Sequence, residues 1–275
     1  MYILFDIGGT KTRIAGSDGK IFSEPRIIST PRNFEEGVKV ISKTAREIAG
    51  EEKIEKVAGG FPGQWSEKEG VFVGAPNLPD WVGKSLGGRL SQELNSDVVV
   101  VNDADLATLG EAVYGKGRGK KIVVYMTVST GVGGGRVVDG RIDDNTFGFE
   151  PGWQIIDGGG ALGEESKEVG YLEEYVSGRS MEAKFGKKPY EITDEKFWDN
   201  MAKTLAYGLN NIMVMWSPDI IILGGSMMKE IGIPVEAVRR HLTDINKVFP
   251  NIPEIEKTDF GDFVGLYGAM ALVHR

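Results

Sequence analysis

The stretch that most limits the fold is MYILFDIGGTKTRIAG, residues 1 to 16. Tyr2, Ile3, Leu4 and Phe5 form a short apolar run that reads as a buried strand, with Asp6 at its end. Gly8 and Gly9 permit a tight turn, because glycine accepts positive φ and places no Cβ between backbone and ligand. Thr12, Ile14 and Ala15 resume an extended pattern. The segment is therefore strand–turn–strand, whereas a Walker loop or a dinucleotide fingerprint needs a helix after its glycines. An Asp at a strand end facing a Gly-Gly-Thr turn suits a hydrated Mg²⁺ held through one carboxylate beside nucleotide phosphates. Backbone N–H groups of the turn would cradle those phosphates. An ordinary hairpin with a glycine turn accounts for the same residues without a ligand.

Histidine is scarce, with only His241 and His274, and cysteine is absent. Disulfides and thiolate metal sites are thereby excluded, and acid–base chemistry falls to carboxylates. A net charge of −8 without a dense Lys/Arg block argues against a nucleic-acid partner. No apolar run reaches the ~18 residues of a membrane span, and no signal peptide precedes the first strand, so a cytoplasmic location without membrane attachment is expected. At 275 residues the chain suggests one large or two medium domains.

Along the chain, Lys20 to Ile28 reads as a third strand. Asn33 is a candidate N-cap for a helix whose apolar face carries Phe34, Val38, Ile41, Ala45 and Ile48, ending near Gly50. Ile54 to Phe61 is a further strand. In the loop Ala75-Pro76-Asn77-Leu78-Pro79-Asp80-Trp81, the prolines restrict the backbone and offer Asn77 to a small ligand, while Trp81 packs the loop down. An inert turn fits the loop equally well. Ser96 to Val101 is a β-branched run typical of a buried parallel strand. It leads into Asn102-Asp103-Ala104-Asp105 and a helix through Tyr114. Ligands of α/β sheets gather at carboxyl ends of strands, where Asp103 would serve as a general base. Helix capping is the competing role, and Asn102 or Asp105 could fill it instead.

Residues 121–141 repeat the opening design: an apolar strand, the turn Ser129-Thr130-Gly131-Val132-Gly133, and a second strand. Two phosphate-turn hairpins, each starting one half of the chain, indicate an internal duplication. Glu150 and Glu173 are candidates for holding sugar hydroxyls, although isolated carboxylates are more often solvated. A helix is expected from Gly170 to about Phe185, and a long one from Asp194 to Trp216. The strand Pro218 to Leu223 runs into Gly224 and Gly225, where absent side chains would let a nucleoside lie against backbone. A helix over Val235–Val248, a strand over Glu254–Thr258 and an apolar helix over Gly265–His274 complete the reading, with His274 a frayed terminus.

Six ordered motifs now stand together: DIGGTKT at 6–12, APNLPDW at 75–81, NDA at 102–104, STGVGGG at 129–135, GYLEEY at 170–175 and PDIIILGG at 218–225. With them the chain resembles, over essentially its whole length, the ROK family of sugar kinases and related repressors within the actin-like ATPase superfamily. The resemblance implies a two-lobed α/β fold of the ribonuclease H-like, actin-like ATPase type with an interlobe active-site cleft. The small lobe would be residues 1–105, completed by a C-terminal helix over 262–275, and the large lobe residues 106–261. Repressor members carry an N-terminal helix-turn-helix, and this chain starts at the phosphate hairpin, so a glucokinase-like carbohydrate kinase is the better match. By the same resemblance Asp103 is the base that deprotonates a sugar hydroxyl, the 6-hydroxyl of a hexose or amino sugar, as it attacks the γ-phosphate of ATP. Asn77, Asn102, Glu150, Trp153 and Glu173 would surround the sugar. Asp6 would organise Mg²⁺ through water, while Gly8, Gly9, Thr10, Lys11, Thr12, Ser129, Thr130, Gly131 and Gly133 hold phosphates. Gly224 and Gly225 would hold the nucleoside. A homodimer is also implied.

The sequence departs from the family in one region. The family's Glu-x-Gly-His motif, whose His contacts sugar and ligates a structural zinc, is Glu150-Pro151-Gly152-Trp153 here. The cysteines that complete the zinc site are missing, with Gly158–Glu168 near their place, so no zinc is expected. Trp153 removes a polar sugar contact and supplies a flat apolar surface, which leaves the preferred sugar open. A non-catalytic sugar sensor of the same fold is the alternative, opposed by the retention of Asp6 and Asp103. A dinucleotide-dependent oxidoreductase is disfavoured because neither hairpin leads into a helix.

Overall fold

A computed structural model of the chain describes residues 1–66, 69–160 and 169–275. It divides into two compact units. Unit 1 comprises residues 1–114, 142–148 and 262–275, and unit 2 comprises residues 115–141 and 149–261.

Unit 1 is built on the opening hairpin. Strand β1 (Tyr2–Ile7) pairs antiparallel with β2 (Lys11–Ser17), which pairs with β3 (Arg26–Ser29). The third strand is shorter than the expected Lys20–Ile28, because Asp18 folds the chain back by accepting the N–H groups of Lys20 and Ile21. Helix α1 (Phe34–Ala49) has the expected ends, with Asn33 accepting from the Glu36 N–H and Gly50 as C-cap. Strand β4 (Lys56–Phe61) lies parallel to β1, and a small hairpin of β5 (Gln64–Ser66) and β6 (Val71–Gly74) follows. Helix α2 (Leu86–Leu94) leads to β7 (Asp97–Asn102) and then α3 (Asp103–Tyr114). The sheet order is β3-β2-β1-β4-β7. Phe5, Phe34, Phe61, Phe72 and Trp81 fill the core under it. Trp81 pins the proline loop as the sequence suggests, stacking on Phe61 and donating from Nε1 to the Arg32 carbonyl at 3.1 Å.

Unit 2 repeats the plan. Strands β8 (Ile122–Val128) and β9 (Val132–Val138) form the second hairpin, extended by β10 (Arg141–Ile142). After the two-stranded β11 (Ile155–Asp157) and β12 (Gly170–Tyr171) come α4 (Leu172–Val176) and α5 (Gly178–Phe185). The single helix expected over this region is two helices. Ser177 is extended and spends its hydroxyl on the Ser180 N–H, ending one helix and starting the next. Helix α6 (Glu195–Trp216), strand β13 (Ile220–Gly224), helix α7 (Val235–Ile245) and strand β14 (Glu254–Lys257) complete the unit. The sheet order β10-β9-β8-β13-β14 matches that of unit 1 strand for strand. Its core gathers Leu205, Leu209, Ile221 and Leu223 with Met227 and Val238.

Helix α8 (Val264–Leu272) returns to unit 1 and packs on α3. The contact requires glycine, since a Cβ on Gly268 would lie 1.8 Å from the Leu106 carbonyl oxygen. The first division between units falls after Tyr114, so all of α3 belongs to unit 1, where the sequence places the boundary after Asp105. His274 is not frayed. Its Nε2 lies 2.7 Å from the Gly19 carbonyl oxygen, and its ring meets Tyr2 edge-on. Among the described residues no helix is long and apolar enough to cross a membrane.

Candidate active site

In unit 1 the first glycine turn is held from below by hydroxyls. Gly8 N–H donates to the Lys11 carbonyl at 2.8 Å, Thr30 Oγ1 donates to the Gly8 carbonyl at 2.7 Å, and Thr30 N–H donates to the Thr10 carbonyl at 3.0 Å. Thr12 is wholly buried and its hydroxyl is bonded to Thr30 at 2.9 Å. Enclosed in this way, the Thr12 hydroxyl supports the turn from beneath. Thr10 and Lys11 are exposed. Asn77, on the proline loop, comes to the same turn: a Cβ on Gly9 would sit 2.9 Å from its Cβ.

Asp6 ends the central part of β1 beside this turn. Its side chain is only 16% exposed, with Arg13 Nη1 at 3.9 Å from Oδ2. Arg13 also reaches Asp262, Nη2 to Oδ2 at 3.7 Å. Burial raises the Asp6 carboxyl to about 6, opposed by Arg13 and assisted by the negative charge of Asp262. A carboxylate short of compensating charge in this way favours a further cation, which fits a hydrated Mg²⁺. Helix α8 closes on it, since a Cβ on Gly265 would meet Asp6 Cγ at 2.6 Å.

At the end of β7, the two competing roles of the Asn-Asp pair separate. Asn102 Oδ1 accepts the N–H groups of Ala104 at 2.8 Å and Asp105 at 3.1 Å, and its Nδ2 donates to the Gly63 carbonyl at 2.9 Å. Asn102 is thus the cap of α3. Asp103, half-buried, accepts the adjacent Ala104 N–H at 2.9 Å. Gly60 gives its backbone room, as a Cβ there would stand 3.1 Å from Asp103 Cα.

In unit 2 the turn Ser129–Gly131, which Gly133 follows as the second residue of β9, is braced on its carbonyl side. Ser129 and Thr130 carbonyls accept the Gly178 and Arg179 N–H groups at 2.7 and 3.2 Å, from the start of α5. Ser129 Oγ and Ser226 Oγ are 3.0 Å apart, which brings the segment after Gly224-Gly225 alongside this turn. Gly225 has φ +95°, and a Cβ there would strike the Val128 carbonyl at 2.3 Å. Glu173 Oε2 accepts the Val132 N–H at 2.7 Å. Trp153 ends a 3₁₀ turn, Pro151–Trp153, that packs on β9 through Gly152 and Val132. Its ring is 56% exposed and rests edge-on against Tyr171, centroids 5.3 Å apart. Glu150 is exposed at the head of that turn. The turn that ends in Trp153 and the side chain of Glu173 thus both meet β9 at Val132. Nearby, Tyr175 donates to Asp157 at 2.8 Å, and burial together with this bond pushes its hydroxyl up to about 12.

Four contributors escape sequence reasoning. Arg13 could have been found, because a hairpin turning at Gly8–Thr10 sets it opposite Asp6. Thr30, Asp262 and Gly265 carry no local signal. Most of Gly158–Glu168, the stretch set in place of the family's cysteines, lies outside the described residues. Among the described residues no group of three or more His, Cys, Asp or Glu is placed to hold a metal ion.

A model of the ROK family matches residues 2–275. The chain is 29% identical over 304 residues to the N-acetyl-D-glucosamine kinase of Pectobacterium carotovorum subsp. carotovorum, covering 100% of this chain and 99% of that protein. It is 26% identical to the glucokinase of Thermotoga maritima, covering 98% and 95%. Among solved structures, the ROK family glucokinase of Streptomyces griseus in complex with glucose and AMPPNP is 25% identical. It superposes with a TM-score of 0.80 over 98% of both chains.

Proposed function

Because the chain belongs to the ROK family and is a carbohydrate kinase, we propose that it transfers the γ-phosphate of ATP to the 6-hydroxyl of a hexose or amino sugar. The observation that carries the reading is the division of labour at β7. Asn102 caps α3, and Asp103 stands next to it at the carboxyl end of β7, where ligands of α/β sheets gather and a general base is expected. Asp103 takes the hydroxyl proton as the sugar oxygen forms its bond to γ-phosphorus, and the bond to the bridging oxygen breaks to release ADP. Asn77, Asn102, Glu150, Trp153 and Glu173 orient the sugar. The two glycine turns hold phosphates, and Gly224 and Gly225 accept the nucleoside. Mg²⁺, when bound through water to Asp6, would neutralise charge on the β- and γ-phosphates. Little else is needed, since such transfer depends mainly on positioning and charge neutralisation.

The solved relative that binds glucose and AMPPNP supports this reading of donor and acceptor. The test is ADP release from Mg-ATP against a panel of hexoses, N-acetylhexosamines and ketoses, with strong stimulation by one sugar expected. Failure of every sugar, with sugar binding still detected by calorimetry, would transfer the assignment to a non-catalytic sensor.

A further inference from the structure

We propose that Glu173 is a positioning residue for the second glycine turn, and through that turn for the phosphates of the nucleotide. The proposal rests on the kinase reading above, and it adds to the sugar-holding role given there a second one on the donor side.

Glu173 is itself tightly fixed. Its backbone carbonyl accepts both the Ser177 N–H at 3.1 Å and Ser180 Oγ at 3.2 Å, so the junction of α4 and α5 grips it. From that anchored position the side chain spans to β9 and accepts the Val132 N–H through Oε2 at 2.7 Å, a short bond to a charged acceptor. The same oxygen lies against the turn: a Cβ on Gly131 would stand 2.7 Å from it. The opposite side of the turn is fixed by the same pair of helices, through Gly178 N–H on the Ser129 carbonyl and Arg179 N–H on the Thr130 carbonyl. The turn is thus clamped at both its carbonyl and its N–H side by one platform, residues 173–180.

A glycine-rich turn has many accessible backbone states, and holding it in one of them lowers the ordering cost when phosphate binds. Glu173 supplies the N–H side of that restraint. Removing the bond leaves Val132, which is buried, with an N–H deprived of its partner.

The test is calorimetric titration of Mg-ADP into sugar-free protein, comparing wild type with Glu173→Asp and Glu173→Gln and using thermal melting as the check of folding. Absence of sugar removes the acceptor-holding role from the measurement. Asp keeps the charge but is one methylene too short for the Val132 N–H, so ADP affinity is expected to fall about tenfold. Gln keeps an acceptor oxygen at full reach, so it should stay within about threefold of wild type. Wild-type ADP affinity in Glu173→Asp would overturn the proposal. So would an equal loss in Glu173→Gln, which would assign the effect to charge. Should Glu173→Asp fail to fold, Glu173→Ala takes its place in the same titration, with a loss of about tenfold or more expected and wild-type affinity overturning the proposal. Wild-type protein that binds no Mg-ADP would instead overturn the kinase reading.

Discussion

Asp6 and Arg13 stand opposite one another across the first hairpin, yet their charged groups approach only to 3.9 Å. At that distance the guanidinium offsets only part of the carboxylate's desolvation, and the Asp6 carboxyl stays raised to about 6. The pair sets the charge balance beside the glycine turn.

That balance predicts a pH effect in magnesium-free protein. The folded state holds the Asp6 proton up to about 6, against 3.8 for an ordinary Asp. Protonation at Asp6 therefore favours folding fully below 3.8, and this contribution disappears as pH rises through 6. Its ceiling is about 3 kcal/mol. Urea unfolding of wild type and Asp6→Asn at several pH values should show wild type losing ground to the variant across this window. A difference that does not change with pH would contradict it.

Asp103→Asn should retain sugar binding and lose about 10²- to 10⁴-fold in turnover, the usual worth of a general base. Steady-state kinetics with calorimetric sugar binding read both quantities. Near-wild-type turnover would remove Asp103 from the mechanism.

Trp153→Ala should leave the melting temperature nearly unchanged, because the ring is 56% exposed. The sugar KM is expected to rise about tenfold, the loss of one aromatic contact of roughly 1.5 kcal/mol. An unchanged KM for the preferred sugar would place Trp153 outside the sugar site.

Gly268→Ala should cost about 1–3 kcal/mol or more, because its Cβ would overlap the Leu106 carbonyl and push α8 off α3. Denaturant midpoints measure this directly, and a midpoint equal to wild type would show that the helices separate without penalty.

Stoichiometric zinc is not expected in chelator-washed protein. Elemental analysis settles this point, and one zinc per chain would reverse it.

The parts legible in the sequence are those governed by local pattern. Both hairpins, the two ends of α1 and the packing of Trp81 follow from apolar alternation, cap residues and proline spacing. The Asn102–Asp103 ambiguity could not be resolved that way. The bond that completes Asn102's commitment runs to Gly63, 39 residues away. The approach of Asp262 and Gly265 to Asp6 is likewise a product of tertiary packing, with no periodicity to announce it. The break at Ser177 was missed because a serine in an otherwise helical run becomes a cap only when its hydroxyl finds the next turn's N–H.

The return of α8 to unit 1 also sets an order of events in synthesis. Asp6 is made before any of unit 2, whereas Gly265, which closes over it, follows only after all of unit 2. At roughly 5–20 residues per second, ~10–50 s pass between them. During that interval all of unit 2 has been made while unit 1 still lacks the residues from Asp262 onward, so unit 2 can fold before unit 1 is complete. The Asp6 carboxylate stays hydrated until α8 docks over it, so this part of the candidate site closes only after unit 2 has been made.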